Sequence, residues 1–347
     1  MLKGAAIVTG AARHLDLLPN LTAETRVWPI PFADGIEPLL ALRGRSVVIL
    51  ASGDPFWFGA GSVLARHLER TEWQALPAPS VASHAAAHLG WPLEKTPVFG
   101  LHAAPLQRLR PALYAGARLL VLLRDGEAVT KLAAYMTDLG FGASHLWVME
   151  AMGGPRERVR CTTADRLDFD DIHHPVCAAL SVDGSGSPLP VSSGLLDDFF
   201  DHDGQITKRP IRAITLSTLA PLPGEHLWDI GAGSGAIGIE WMLGHPANRT
   251  TAIEHNRERA ARIRHNADAL GAGHLKLFEG NALEFLSSIL AKEPPDAVFI
   301  GGGLCADLLK VLWQHVPAGT RVVANSVTLE TDTLLSKWHR EAGGTLM

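Results

Sequence analysis

The sequence predicts an α/β protein of two domains, of which the second is a doubly wound parallel sheet. A chain of 347 residues is long enough for two domains of ordinary size. Short apolar β-branched runs alternate with helical patterns along both halves. A stretch rich in Gly, Ser and Pro over 181–194 interrupts both patterns. We therefore expect a first domain over 1–185, a linker over 186–196 and a second domain over 197–347.

The first half contains the signals of an α/β domain. Ser46–Leu50 and Leu119–Leu123 are short, continuous apolar runs, which indicate buried strands. Gly59–Arg70 and Val81–Leu89 have the length and the Ala/Leu content of helices. Strands and helices therefore alternate here too.

The second half begins with a predicted helix from about Lys208 to Ala220, after which strands and helices alternate strictly. Such alternation predicts right-handed βαβ crossovers and a parallel sheet. The predicted strands are His226–Ile230, Thr250–Glu254, Leu275–Phe278, Ala297–Ile300 and Arg321–Asn325.

Composition excludes several classes of function. The net charge is −5 and charged residues make up 19%, so no broad basic face is expected to bind nucleic acid. No apolar run reaches the ~18 residues that span a bilayer, and no secretion signal is recognisable. Cys161, Cys177 and Cys305 lack the spacing of a zinc site or disulfide framework, and only His173–His174 are adjacent histidines. We expect a cytoplasmic protein without a metal site.

A glycine-rich loop follows the first predicted strand of the second half. In an open parallel sheet, ligands bind beyond the carboxyl ends of the strands, where glycines let the backbone approach them. Gly231, Ala232, Gly233, Ser234 and Gly235 occupy this turn. Glu254 ends the next predicted strand, nineteen residues after Gly235, where a carboxylate can accept hydrogen bonds from both hydroxyls of a ribose.

The loop alone fits two kinds of ligand, because Gly231–Ala236 also satisfies the Gly-x-Gly-x-x-Ala form of nicotinamide dinucleotide sites. Three neighbouring features favour S-adenosylmethionine. Asp229 is an acidic residue at the end of a strand, where it can meet the amino end of the donor. Asn281 and Ala282 follow the third strand, where the edge of an adenine can be recognised. Gly301–Gly303 end the fourth strand. Together they resemble class I, Rossmann-like methyltransferases with seven-stranded sheets.

The second half also resembles a more specific family. Its motifs are similar to those of the C-terminal half of the decarboxylating precorrin-6Y C5,15-methyltransferases. The resemblance implies S-adenosylmethionine binding at Thr207, Gly231–Gly235, Glu254 and Ala282, with Thr207 as the N-cap of the opening helix and Pro210 at its third position. It also implies methylation at C15 and loss of the C12 acetate carboxylate. The motifs are His202–Arg209, Leu227–Gly235, Ile239–Met242, Phe299–Gly303 and Val323–Glu330.

The first half resembles the tetrapyrrole (corrin and porphyrin) methylase domain, which has a different methyltransferase fold. The resemblance places donor contacts at Gly53, Asp54, Pro55 and Ser80 and implies methylation at C5. The fold expected is thus an N-terminal tetrapyrrole methylase-like domain followed by a class I Rossmann-like methyltransferase domain. The motifs are Leu50–Pro55 with Gly59, Pro79–Ser83, His88–Pro92, Leu123–Gly126 and Gly153–Arg158.

This combination implies a role in cobalamin biosynthesis: methylation of precorrin-6B at C5 and C15 and decarboxylation, giving precorrin-8. Methyl transfer needs alignment and exclusion of water and no protein nucleophile. Glu330, after the last predicted strand, is our candidate for an acid or base. Arg124, Arg156 and Arg209 are candidates for pairing with substrate carboxylates. Family resemblance also suggests a homo-oligomer, and fusion of the two halves favours a metal-free substrate.

Two alternatives remain open, an NAD(P)-dependent oxidoreductase and a tetrapyrrole-binding protein without catalytic activity. The resemblance also bears on the ends of the chain. Ala5–Leu15 is similar to the second strand of the tetrapyrrole methylase fold, and Leu334–Gly344 to the helix and turn after the fifth strand of the methyltransferase sheet. We therefore expect the opening strand of the first domain and the last strands of the second to be missing.

Overall fold

The computed structural model describes residues 2–289 and 293–347, which form two compact units. One unit contains the chain up to Ala103 together with Gly116–Gly184, and the other contains Ala104–Ala115 together with the chain from Ser185 onward. The sequence did not predict that Ala104–Ala115 would belong with the second unit. No helix of the described residues has both the length and the hydropathy needed to cross a membrane.

The first unit contains two sheets. The smaller is parallel, has the order β2-β1-β3, and consists of β1 (Ile7–Gly10), β2 (Glu24–Val27) and β3 (Val47–Ile49). The larger is mixed and has the order β4-β5-β8-β6-β7. Its strands are β4 (Val98–Gly100), β5 (Arg118–Leu123), β6 (His145–Glu150), β7 (Arg158–Thr163) and β8 (Val176–Ser181).

One predicted helix of the first unit is much shorter than expected. The helix predicted over Gly59–Arg70 is confined to α3 (Gly61–Leu64); just before it, Gly59 packs so tightly on Pro55 that a Cβ there would lie 2.6 Å from the Pro55 carbonyl oxygen. The helix predicted over Val81–Leu89 is confirmed as α4. The helices are α1 (Ala12–Leu15), α2 (Ile36–Leu40), α3 (Gly61–Leu64), α4 (Val81–Leu89) and α5 (Gly126–Asp138).

The second unit is built on one parallel sheet of five strands in the order β11-β10-β9-β12-β13. Strand order reverses at the central strand, so the crevice where such sheets bind ligands opens beside the carboxyl end of β9. The predicted α/β fold class is confirmed. The strands are β9 (His226–Ile230), β10 (Arg249–Glu254), β11 (Lys276–Glu279), β12 (Ala297–Ile300) and β13 (Arg321–Ala324).

Apolar side chains cover both faces of this sheet, as is usual for parallel sheets. Trp241 and Leu216 belong to the core on one face, and Trp228 and Phe285 to the core on the other. The helices are α6 (Arg209–Leu219), α7 (Ala236–Leu243), α8 (Arg257–Leu270), α9 (Ala282–Ile289), α10 (Ala306–His315) and α11 (Leu329–Ala342).

The start of α6 differs from the prediction, because Thr207 is not its N-cap. The N-cap is Lys208, which makes no side-chain capping bond, and Pro210 lies at the second helical position. Proline suits a first turn, since its fixed φ is already helical and the missing N–H would have no helical partner. The backbone of Thr207 is still outside the helix, and its carbonyl accepts a hydrogen bond from Arg212.

The end of the predicted linker is a fixed part of the second unit. The carboxylate of Glu240 on α7 accepts hydrogen bonds from the N–H groups of Gly194, at 2.6 Å, and Leu195, at 3.1 Å. Leu195 is buried in the core of the unit. Arg212 donates to the same carboxylate and to the Leu195 carbonyl, so one buried ion pair ties this segment to α6 and α7.

Candidate active site

The glycine loop turns sharply between β9 and α7. Gly231, Gly233 and Gly235 have φ angles of +67°, +61° and +78°, which residues with a Cβ rarely adopt. The N–H groups of Gly231 and Ala232 both donate to the Ile253 carbonyl, at 2.9 and 3.1 Å. A Cβ at Gly231 would lie 2.6 Å from the Gly302 nitrogen. Glycine is therefore required here for the backbone conformation and for the close approach of the loop that follows β12.

The middle of the loop faces open space. A Cβ at Gly233 would meet nothing closer than the Gln205 carbonyl oxygen, at 3.7 Å. The base of the loop is fixed, because Ser234 is buried and its carbonyl accepts a 2.9 Å hydrogen bond from the Asn266 side chain. A ligand could therefore approach the backbone at Gly233 without displacing protein atoms.

Glu254 lies against this loop, as the sequence spacing predicts. Its two carboxylate oxygens accept hydrogen bonds from the N–H groups of Gly233 and Asn256, both at 2.9 Å. The side chain is almost completely buried, and its orientation is fixed by these bonds. Each carboxylate oxygen can accept a second hydrogen bond, so the group can receive two hydroxyls.

The loop after β11 lies beside the Glu254 strand end. The N–H of Gly280 donates to the Glu254 carbonyl at 3.1 Å. Asn281 is exposed, its side-chain oxygen accepts a 2.8 Å hydrogen bond from the Leu283 N–H, and Ala282 is the first residue of α9. The structure thus brings together the glycine loop, Glu254, Asn281 and Ala282 at one edge of the sheet.

Asp229 lies beneath this edge, and its side chain contacts α7. One carboxyl oxygen accepts a 3.0 Å hydrogen bond from the Gly238 N–H, and the other is buried without a hydrogen-bond partner among the described residues. The pKa of Asp229 is raised to about 7, mainly by burial; the hydrogen bond from the Gly238 N–H opposes this shift, and the charge of Glu254 adds to it. The described contacts of Asp229 therefore fix its side chain against α7, and its predicted contact with the amino end of the donor stays a prediction.

We expect Asp229→Asn to make the stability of the protein less sensitive to pH. An aspartate whose folded-state pKa is raised loses stabilisation as the pH rises from about 4, its unfolded value, to about 7. The free energy of unfolding of the variant, relative to the parent, should increase over that interval by an amount on the order of 1–4 kcal/mol. Urea denaturation at pH 5 and pH 8 measures it. An equal difference at both pH values would contradict the account.

The predicted site residues of the first unit also come together. Gly53 has a φ of +58°, and a Cβ there would lie 3.0 Å from the Ser80 Cα. The Asp54 carboxylate accepts a 2.8 Å hydrogen bond from the Phe56 N–H, and the Ser80 hydroxyl caps α4 by accepting from the Ser83 N–H. Pro55 packs on Gly59 and Gly61. Asp54 and Ser80 line a cavity of about 520 Å³ with Trp57 and Leu93–Val98.

The sequence predicts Glu330 at the end of the last strand, but the structure places it elsewhere. Strand β13 ends at Ala324, and Glu330 is an exposed residue in the first turn of α11. Hydrogen bonds to its own backbone N–H and to the Thr328 side chain hold its pKa below the ordinary value. A lowered pKa opposes the role of a general acid.

The three candidate arginines have different surroundings. Arg124 pairs with Asp125 at 2.7 Å, and Arg209 donates to the Gly194 carbonyl at 2.9 Å. Arg156 lines a second cavity, of about 290 Å³, and has no ion pair among the described residues. Of the three arginines, only Arg156 has neither an ion pair nor a side-chain hydrogen bond among the described residues.

Sequence reasoning missed a second polar group in the first unit. The Ser52 hydroxyl lies 3.1 Å from a guanidinium nitrogen of Arg13 and 2.8 Å from the Nε2 atom of His14. The sequence feature that could have indicated this group is the Arg13–His14 pair directly after the first strand. A single sequence does not reveal that Ser52 lies beside this pair.

Known proteins resemble this chain along its length. Residues 1–168 match the family model described as tetrapyrrole (corrin/porphyrin) methylases, and residues 198–347 match the one described as precorrin methyltransferase domain. A precorrin-6Y C(5,15)-methyltransferase (decarboxylating) of Sinorhizobium sp is 44% identical over 351 residues, which cover 100% of this chain and 84% of that protein. The chain belongs to the family of decarboxylating precorrin-6Y C(5,15)-methyltransferases.

Two further relatives carry similar names. A precorrin-6Y C(5,15)-methyltransferase (decarboxylating) of Mycobacterium tuberculosis is 35% identical and matches over 99% of this chain and 86% of its own length. The crystal structure of the C-terminal domain of precorrin-6Y C5,15-methyltransferase from Rhodobacter capsulatus is 43% identical over 46% of this chain and 84% of that domain, with a TM-score of 0.43. The family predicted from the motifs is confirmed by the full-length match.

Proposed function

We propose that this precorrin-6Y methyltransferase family member methylates precorrin-6B at C5 and C15 and removes the C12 acetate carboxylate, giving precorrin-8 in corrin ring biosynthesis. The observation that carries the proposal is the 44% identity to a relative of that name over the whole chain. Each of the two methylations then has a methyltransferase family model of its own, because the two models match separate parts of the chain, residues 1–168 and 198–347.

The methyl donor is S-adenosylmethionine. When bound, it supplies an electrophilic methyl group on a sulfonium that departs as a neutral thioether. In the second unit, Glu254 accepts the ribose hydroxyls, Asn281 and Ala282 border the adenine, and the open backbone at Gly233 adjoins the amino acid portion. The geometry supports this assignment because Glu254 and Gly233 are already joined by a 2.9 Å hydrogen bond.

The reaction places few chemical demands on the protein. Attack by an electron-rich ring carbon on a sulfonium methyl group is an in-line displacement, so binding both reactants in the correct orientation and excluding water are its main requirements. Decarboxylation uses the π-system of the substrate as its electron sink. No cysteine or serine nucleophile is needed, and burial raises the pKa of Cys177 to about 12, which keeps it a thiol.

We assign C5 methylation to the first unit and C15 methylation with decarboxylation to the second. In the first unit, Gly53, Asp54, Pro55 and Ser80 are the donor-site residues, and Asp54 and Ser80 line the same cavity. In the second, the donor lies at the carboxyl end of β9. We further propose a metal-free substrate, a cytoplasmic homo-oligomer, and no nucleic-acid or membrane partner; the net charge of −5 supports the last point.

Titration calorimetry with the donor tests this proposal against a nicotinamide enzyme. S-adenosylmethionine should bind and NADH should not, while the reverse would refute the assignment. Glu254→Ala should weaken donor binding at the second unit by about 1.5–3 kcal/mol, because two charge-assisted hydrogen bonds are lost. Glu258→Ala, at an exposed position in the first turn of α8, is the matched control and should leave binding unchanged.

A further inference from the structure

A short segment of the second unit, residues 201–205, lies beside the open middle of the glycine loop. Its last residue, Gln205, has its carbonyl oxygen 3.7 Å from where a Cβ at Gly233 would be. That carbonyl accepts no hydrogen bond within the described part of the chain. A backbone carbonyl with a free lone pair is a suitable acceptor for an ammonium group. The open space at Gly233 therefore has an available acceptor on its border.

Asn266 on α8 joins this segment to the glycine loop. Its side-chain oxygen accepts a 2.8 Å hydrogen bond from the Asp201 N–H. Its side-chain nitrogen donates to the carbonyls of Asp201 and Ser234, both at 2.9 Å. The side chain is buried, and these bonds use both of its N–H donors. One side chain therefore sets the separation between the segment and the loop.

Asp203 fixes the middle of the segment to the same helix. Its carboxylate accepts a 2.8 Å hydrogen bond from Arg259 and lies 3.3 Å from a guanidinium nitrogen of Arg262. Its other oxygen accepts a 3.1 Å hydrogen bond from the Gln205 N–H, which restrains the backbone of that residue. Arg259, Arg262 and Asn266 are spaced by three and four residues, so they share one face of α8. That face holds the segment at two points.

We propose that Asn266 is a positioning residue for the methyl donor, because it sets the width of the space for the amino acid portion of S-adenosylmethionine. This inference rests on the proposed function, from which the ligand is taken. The Gln205 carbonyl accepts a hydrogen bond from the donor ammonium, and Asp203 supports it by holding the segment on α8. Hydrogen bonds weaken steeply when they are misaligned, so a displaced segment loses this interaction. Contacts to the adenosine portion do not depend on the segment.

Calorimetric titration of the full chain with S-adenosylhomocysteine and with methylthioadenosine tests the proposal, because the second compound lacks the amino acid portion. Asn266→Leu keeps nearly the same size but can form none of the three hydrogen bonds. At the site that Glu254→Ala weakens, this variant should bind S-adenosylhomocysteine about tenfold more weakly and methylthioadenosine within about twofold of the parent. Asp203→Asn, at an exposed position, should weaken S-adenosylhomocysteine binding about threefold, since the segment loses its ion pairs.

Asn248→Leu is the matched control. Asn248 is equally buried, accepts a 2.8 Å hydrogen bond from the Gly224 N–H and donates to the Trp241 carbonyl at 3.0 Å. It directly precedes β10, at the end of the strand away from the glycine loop. The control should lose stability but bind both compounds as the parent does. Equal loss of S-adenosylhomocysteine binding in Asn248→Leu and Asn266→Leu would overturn the proposal, because stability alone would then explain it.

A turnover measurement separates this inference from the proposed function. In Asn266→Leu, KM for S-adenosylmethionine in C15 methylation should rise about tenfold with kcat retained, while C5 methylation should be unchanged. Equal weakening of both compounds, or unchanged S-adenosylhomocysteine binding in the variants, would overturn the inference alone. If Asn266→Leu does not fold, the exposed Asp203→Asn decides by the same comparison of the two compounds. If the parent binds neither compound, the proposed function fails and the inference fails with it.

Discussion

Replacing Gly233 by arginine should eliminate C15 methylation and decarboxylation. The φ of +61° disfavours any side chain, and the new side chain would project into the open space at the middle of the loop, where the donor is proposed to bind. Loss of the donor site should reduce turnover at least 100-fold, since roughly 3 kcal/mol or more of binding energy is removed. Mass spectrometry of the tetrapyrrole product should show at most one added methyl group and an intact acetate carboxylate.

Gly224→Arg is the matched control for this variant. Gly224 has a φ of +88° and open space around it, but it lies in the turn before β9, at the opposite end of the sheet. The Gly224→Arg variant therefore has comparable backbone strain but does not obstruct the donor site. Its activity should stay within about twofold of the parent, because substitutions at the surface seldom change the free energy of unfolding by more than about 0.5 kcal/mol. Full conversion of the substrate by Gly233→Arg would refute both the location of the donor and the division of work between the units.

Arg212→Met should destabilise the second unit by about 3–5 kcal/mol, because it leaves the buried Glu240 carboxylate without its cation. The Arg212 side chain is completely buried and lies 2.5 Å from Glu240, 3.0 Å from Asp197 and 5.0 Å from the centre of the Phe200 ring. Urea denaturation followed by tryptophan fluorescence measures the change. Because Glu240 also binds the N–H groups of Gly194 and Leu195, the segment around them should become susceptible to proteolysis.

The double variant Arg212→Met, Glu240→Leu separates loss of the ion pair from loss of packing. Removing both charges should restore part of the stability, since no isolated buried charge remains. Arg209→Met, at an exposed position one turn earlier, should cost only about 1 kcal/mol, because it removes a single hydrogen bond to the Gly194 carbonyl and leaves no buried charge unpaired. A double variant less stable than Arg212→Met would contradict the account, and so would equal effects at Arg212 and Arg209.

The sheet of the second unit could be predicted closely because its strands are short runs rich in apolar and β-branched residues that alternate regularly with helical patterns. The predicted and observed limits of His226–Ile230 and Ala297–Ile300 are identical. The glycine loop and Glu254 were also predictable, because strand spacing and the topology of parallel sheets determine that they meet. The order of the strands and helices along the chain is therefore enough to predict that the glycine loop and Glu254 are in contact.

Other features depend on contacts between distant residues, which one sequence does not reveal. Thr207 has the side chain of an N-cap, but its carbonyl bonds to Arg212 and the helix begins after Lys208. The carboxyl of Asp229 is directed to Gly238, and Gly59, the predicted start of a helix, packs on Pro55 outside the observed one. In each case a tertiary contact overrides the local preference of the residue.

Mass analysis of precorrin-6B after incubation with S-adenosylmethionine and this protein tests whether the chain methylates and decarboxylates this substrate. We expect a product that has gained two methyl groups and lost one carbon dioxide, with isotope from a labelled donor methyl appearing at both C5 and C15. An unchanged substrate in the presence of bound donor would contradict the account, as would a product altered in its oxidation level without any gain of methyl groups.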